Sequence, residues 1–97
     1  MDFFLKNLEE TLEAINKLID NNIYTVTTKR VRRCNNIKSS NRSKINSIWR
    51  SLKYLQEEDV LERNGQSKPL TYKISSDEKI DVEKVIERID EKRNNNH

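Results

Sequence analysis

The sequence predicts a mainly α-helical fold with a small β-hairpin, and three observations support this prediction. Three long stretches repeat apolar residues at steps of three and four, the spacing of one face of a helix. A shorter stretch on either side of Asn64-Gly65 alternates apolar and polar residues, as a hairpin does. One glycine and one proline among 97 residues leave little turn chemistry for further loops.

The first helix is predicted from about Asp2 to Asp20. Its apolar stripe contains Leu5, Leu8, Leu12, Ile15 and Ile19, widened by Phe4 and Leu18. Phe3 points away from this stripe, so either the helix start frays or Phe3 packs on another chain. Residues 23–26 then favour a short strand, because Ile, Tyr, Thr and Val have high β propensity.

A short second helix is predicted to begin after Thr27 or Thr28, either of which offers a capping hydroxyl, and to run to about Asn35. Val31 and Cys34 lie three residues apart and can both face inward. Cys34 is best explained as a small buried apolar residue, with a disulfide across a dimer as the alternative. Ile37 is expected to plug the turn that follows.

The third helix is predicted over about residues 40–57, capped by Ser39, Ser40 or Asn41. One face is apolar, and we expect its Trp49 to pack in the core rather than to stack on a base. The opposite face has hydrogen-bonding groups and one guanidinium but no carboxylate. The apolar face contains Ile45, Ile48, Trp49, Leu52 and Leu55, and the polar face contains Ser43, Asn46, Ser47, Arg50 and Tyr54.

The hairpin is predicted from Val60 to Arg63, through a turn at Asn64-Gly65, and back along Leu70, Tyr72 and Ile74. Its tip is polar and basic, with Arg63, Asn64, Gln66, Ser67 and Lys68, and it suits either a DNA contact or plain solvent.

A last helix, started by Ser76, Asp77 or Asp81, is predicted to end near Arg93, before a disordered tail at residues 94–97. Its apolar stripe contains Val82, Val85, Ile86 and Ile89. Only 33% of the residues are hydrophobic, so cover from a second copy would help the protein bury surface. We therefore expect a homodimer that uses this stripe as its interface. The alternative is that the last helix folds back onto the first helix of its own chain.

Charge is distributed unevenly along the chain. Residues 21–56 contain nine Lys or Arg residues and no Asp or Glu, whereas the segments on either side each carry a net charge of −3. The absence of carboxylates from so long a block predicts a surface that meets phosphates, with a solvated basic face as the alternative.

The composition argues against most other classes of function. One cysteine and one terminal histidine do not provide a zinc site or a well-placed general base. A single glycine precludes the glycine-rich nucleotide-binding motifs. We therefore expect no enzymatic activity, no metal and no cofactor. There is also no apolar stretch long enough to span a membrane and no signal peptide, so a cytoplasmic, nucleoid-associated protein is expected.

Three sets of residues carry a resemblance to a known superfamily. Val26-Thr27 opens the second helix, and Ile45, Ile48, Leu52 and Leu55 lie along the third. The run from Leu52 to Leu61-Glu62 then continues through Asn64-Gly65 to Tyr72-Lys73-Ile74. In this order they resemble a winged helix-turn-helix domain, here covering residues 1–75, with a long N-terminal helix and an extra C-terminal helix over residues 76–93. Asp59 stands where that superfamily usually has glycine. Within that superfamily the chain resembles small archaeal DNA-binding proteins of the regulatory or chromatin-associated kind.

The resemblance implies that the third helix enters the major groove of double-stranded DNA and that the wing, residues 63–69, flanks it. It assigns contacts with base edges to Ser43, Asn46, Ser47 and Arg50, and wing contacts to Arg63, Gln66 and Lys68. The remaining basic residues and one tyrosine are expected to contact phosphates: Lys29, Arg30, Arg33, Arg42, Lys44, Lys53 and Tyr54. A transcriptional regulator is favoured, and the alternatives are a DNA-organising protein of low specificity and a protein-interaction module.

Overall fold

The structure is a computed structural model that describes residues 3–67, 70–74 and 78–95. Over these residues the chain is mainly helical with a small antiparallel sheet. The elements in chain order are α1 Phe3–Asp20, β1 Thr25–Val26, α2 Thr28–Cys34, α3 Arg42–Glu57, β2 Leu61–Ser67, β3 Leu70–Ile74 and α4 Val82–Asn95. The predicted helices and strands are therefore confirmed, with shifts of a few residues at their ends.

The first helix is the centre of the core. Its predicted apolar stripe is buried along its length, and Leu8, Leu12 and Ile15 have no exposed surface. Helices α2, α3 and α4 all contact α1. Each contributes buried side chains to one shared cluster, including Val31 from α2 and Leu52 from α3. The helices are thus held together by burial of apolar surface around α1.

The sheet has the strand order β1-β3-β2, and both pairings are antiparallel. Leu61 lies opposite Ile74, but Ser67 lies opposite Leu70, so β2 contains extra residues between Arg63 and Ser67. Gly65 lies in this irregular stretch with a φ of 70°, which a glycine adopts without strain. The predicted turn at Asn64-Gly65 is therefore wrong, because the glycine serves a bulge and the strand continues beyond it.

Three helices end in the same way. At the ends of α1, α2 and α3 a residue with φ near 60° is followed by an apolar residue whose backbone N–H bonds back five positions. At the end of α3, for example, Asp59 N–H donates to the Gln56 carbonyl at 3.1 Å and Val60 N–H donates to the Leu55 carbonyl at 2.9 Å. This is the Schellman arrangement, which usually has glycine at the left-handed position. Here the left-handed residues are Asn22, Asn36 and Asp59, and the apolar residues are Ile23, Ile37 and Val60.

The C-terminal helix packs on its own chain. Ile86 and Ile89 are buried there, and Val82 and Val85 are partly buried against the same core. The prediction that these residues form a dimer interface is therefore wrong for Ile86 and Ile89, because α1 already covers them. The alternative, in which the last helix folds back onto the first, is confirmed.

Side-chain hydrogen bonds fix both the approach and the start of α4. The Asn16 side chain on α1 donates to the Ile80 carbonyl at 2.9 Å and accepts from the Ile80 N–H at 2.8 Å. Asp81 then caps the helix by accepting from the Lys84 N–H at 3.2 Å. The other predicted caps, Ser76 and Asp77, lie outside the described residues. The helix continues to Asn95, so residues 94 and 95 are helical rather than part of a disordered tail.

Candidate nucleic-acid interface

Helix α2 displays basic residues because its cap and its buried residue fix its orientation. The Thr27 hydroxyl accepts from the Arg30 N–H at 3.1 Å, and Val31 is fully buried. Lys29, Arg30 and Arg33 are exposed as a result. The Arg30 guanidinium donates to the Thr25 carbonyl at 3.0 Å and also to the Thr25 hydroxyl, which ties this cation to β1.

Helix α3 has an exposed polar face of the predicted kind. Asn41 caps it by accepting from the Lys44 N–H at 3.2 Å, and buried Ile48, Leu52 and Leu55 turn its apolar face to the core. The exposed polar residues of α3 before Glu57 are Arg42, Ser43, Asn46, Arg50 and Lys53. Ser47 is half-buried, and its hydroxyl donates to the Ser43 carbonyl at 3.1 Å, so it is less available than the other three predicted base contacts.

Besides Arg30, two other cations of the acid-free segment have hydrogen-bond or ion-pair partners within the protein. The Lys44 ammonium lies 3.4 Å from a carboxylate oxygen of Glu10 on α1, and both side chains are partly exposed. The Arg32 guanidinium donates to the Ile37 carbonyl at 2.9 Å and so holds the turn between α2 and α3. Lys44 was a predicted phosphate contact, and its neighbouring carboxylate partly cancels the attraction that it can exert on an anion.

Tyr54, a predicted phosphate contact, does not lie on the exposed polar face of α3. It is half-buried, and its ring meets the Phe4 ring edge-on, with centroids 5.0 Å apart and planes at 87°. The guanidinium of Arg93 lies 4.5 Å from the centroid of the same Phe4 ring. Tyr54 therefore belongs to the contact between α1 and α3, because the edge-on contact with the Phe4 ring stabilises the tyrosine ring more than exposure to water would.

Trp49 is the main correction to the helical pattern. It was expected in the core, but 45% of its surface is exposed. The Lys53 ammonium lies 5.5 Å from the centroid of its ring. The indole lies at the edge of the apolar stripe rather than at its centre, where Ile48, Leu52 and Leu55 are buried. The sequence prediction thus missed an exposed aromatic residue beside the cationic face.

The described hairpin strands carry two exposed cations, Arg63 at the start of the irregular part of β2 and Lys73 on β3, and only Arg63 was assigned as a wing contact. The pKa of Tyr72, opposite Arg63 on β3, is raised above 10.0, mainly because the phenol is buried. The charge of Arg63 lowers this pKa and that of Glu57 raises it, both by less than burial does. The Gln66 side chain and the whole of Lys68 lie outside the described residues.

Carboxylates gather in a different place. A hollow of about 460 Å³ between α1 and α4 is lined by Glu9, Glu13, Glu83 and Glu87, with Val82 and Ile86 beside them. Helices α1 and α4 thus carry both acids and bases, whereas α2 and α3 contain no acid before Glu57.

Other kinds of site are not found in the described part of the chain. No group of three His, Cys, Asp or Glu side chains among these residues could hold a metal ion. No helix in the same residues is long and apolar enough to cross a membrane. Cys34 is half-buried and not disulfide-bonded.

The residues that could meet a polyanion are therefore five exposed cations on α2 and α3, namely Lys29, Arg30, Arg33, Arg42 and Lys53, together with Arg50, Asn46 and Ser43 on the exposed polar face of α3. Comparison of the chain with protein-family models, with curated proteins and with solved structures finds no match to any of them.

Proposed function

We propose that this chain is a winged helix-turn-helix protein that binds double-stranded DNA and regulates transcription. Helix α3 is the recognition helix, and the β2–β3 hairpin is the wing. The element order and the β1-β3-β2 sheet are compatible with this assignment. The observation that carries the proposal is that the exposed surfaces of α2 and α3 contain six cations, Arg50 among them, but no carboxylate until Glu57.

The exposed residues suggest two roles. Arg50 has the planar donor pair that binds guanine O6 and N7, and the Asn46 amide can bind adenine N6 and N7 in the same bidentate way. The five surrounding cations are suited to phosphates, which position the helix without reading sequence.

A titration of labelled duplex DNA at several salt concentrations tests the binding. Five phosphate contacts predict that the logarithm of the association constant falls with the logarithm of salt concentration with a slope of about −4.5. Arg33→Ala should weaken binding to all duplexes alike and reduce the magnitude of the slope by about 0.9. Lys84→Ala on α4 removes the same charge away from the interface and is the matched control. If wild-type protein fails to bind any duplex at about 50 mM salt, where such contacts are strong, the proposal is wrong.

Specificity is tested separately with Arg50→Ala. Loss of a bidentate contact should cost about 1–3 kcal/mol on the preferred sequence and relax the preference at one base pair. A competition between a selected site and random duplex at fixed salt measures this ratio. If wild type shows no preference for any sequence, the protein organises DNA rather than regulating a particular site.

A further inference from the structure

A hollow of about 410 Å³ opens beside the recognition helix, between the start of α2, the middle of α3 and the start of β3. Its apolar lining is provided by Ile45, Trp49 and Leu70, and Lys29 and Arg32 contribute basic groups. The hollow is thus apolar with cations beside it, and it adjoins the face proposed to meet DNA.

Trp49 is the unusual member of this lining. It is the only tryptophan in the sequence, and nearly half of its surface meets solvent although the ring is the largest apolar side chain available. Leaving such a ring in water forgoes the burial that normally stabilises a fold, so an exposed tryptophan in an apolar hollow is typical of a binding site. The Lys53 ammonium, 5.5 Å from the ring centroid, adds a positive charge on the same side of α3.

We infer that this hollow receives an unpaired nucleobase that stacks on the Trp49 indole, with the adjoining phosphates held by Lys29 and Lys53. A ligand that suits the site must combine a flat apolar surface with negative charge, and a nucleotide within a strand does so. Bases within a duplex are stacked on each other and offer only their edges, whereas an unpaired base has a free face for the ring. This inference rests on the proposed DNA-binding function and extends it to junctions between double and single strands.

The test compares a blunt duplex with the same duplex carrying a three-nucleotide thymidine tail. Binding is followed by the anisotropy of a dye on the far end of the DNA, at fixed salt. Trp49 is the only tryptophan, so its fluorescence reports the hollow directly. We expect the tail to increase affinity and to quench Trp49 fluorescence, and the blunt duplex to quench it less.

Substitutions then assign the effect to the ring. Trp49→Ala should remove the advantage of the tail, a loss of roughly 5- to 150-fold in affinity if one base stacks, and leave affinity for blunt duplex within about twofold. Trp49→Phe keeps an aromatic face and should retain part of the advantage. Phe3→Ala removes another exposed aromatic ring, 83% accessible, and should leave it unchanged. Circular dichroism establishes that each variant is folded.

The outcomes separate this inference from the proposed function. If wild type binds both DNAs equally, the hollow does not take an unpaired base, but duplex binding stands. If neither duplex binds while single-stranded thymidine oligomers quench Trp49, the hollow is a nucleobase site and the duplex-binding proposal falls. Should Trp49→Ala retain the full advantage of the tail, the stacking inference is refuted.

Discussion

Replacing Asp59 with glycine is expected to stabilise the protein, although no side-chain contact is gained. Asp59 follows the last turn of α3 with a φ of 62°, in the left-handed region that side chains with a Cβ atom enter at a cost. The Schellman bonds made by the Asp59 and Val60 N–H groups require this conformation. Its carboxylate also lies at the negative end of the helix dipole, where a negative charge is unfavourable.

The magnitude follows from three effects. Removing the charge contributes about 0.3–1 kcal/mol to the free energy of unfolding. Relief of the left-handed backbone contributes somewhat less than the roughly 1–2 kcal/mol of an ordinary residue, because Asp tolerates this region better than most. Against this, glycine in the unfolded chain costs about 0.5–1 kcal/mol of conformational entropy. The net gain is about 1 kcal/mol, which raises the midpoint of thermal unfolding by roughly 4–8 °C in a domain of this size.

Urea and thermal unfolding of three variants separate these effects. Asp59→Asn removes the charge but keeps a side chain that tolerates positive φ, so it reports the charge alone. Asp59→Ala removes the charge but has no such tolerance. We expect the order of stability to be glycine, then asparagine, then alanine. If alanine is as stable as glycine, the left-handed backbone is not what limits this helix end.

Three further outcomes follow from the structure. Glu10→Gln breaks the partly exposed ion pair with Lys44, so the free energy of unfolding in a urea titration should change by less than about 0.5 kcal/mol. The ammonium of Lys44 is then available to a phosphate, so DNA titrations at several salt concentrations should show a steeper salt dependence of binding. Ile89→Ala should lower the free energy of unfolding in urea by about 2–5 kcal/mol at every protein concentration, because the side chain is buried within one chain. A loss that grows as the protein is diluted would instead support the predicted dimer interface. Because the pKa of Tyr72 in the folded state is raised above 10.0, its contribution to the free energy of unfolding should be constant below that pH and should fall as the pH rises through the folded-state pKa. Unfolding curves measured at a series of alkaline pH values should show that Tyr72→Phe removes this fall in stability.

The elements that depend on local chemistry were predictable from the sequence. The stripe of α1, the Thr27 cap and the apolar face of α3 follow from periodicity and hydrogen bonding within a few residues. The polar surface of α3 followed from the same periodicity, since a face that cannot be buried must meet solvent.

The features that depend on distant neighbours were not predictable in this way. An amphipathic helix has the same pattern whether its own chain or a second copy covers it, so the stripe of α4 could not indicate that α1 was the partner. Trp49 lies at the edge of its stripe, where periodicity alone does not decide whether a neighbouring element covers the side chain. Gly65 has a positive φ, but the pairing of β2 with β3 places it in a bulge and not in the predicted turn, and this pairing depends on residues distant from Asn64-Gly65.

The pair of hydrogen bonds between Asn16 and Ile80 sets how α4 is aligned along α1. The single carboxamide of Asn16 binds both the N–H and the carbonyl of a residue 64 positions away, as the backbone of a neighbouring strand would do. Apolar packing alone allows neighbouring helices to slide by a turn with little change in the area they hide, whereas a donor and an acceptor held side by side match at one position only. The Asn16 amide therefore fixes the position of α4 along α1. In Asn16→Asp an oxygen replaces the amide nitrogen, so the Ile80 carbonyl would lose its donor and α4 could shift along α1.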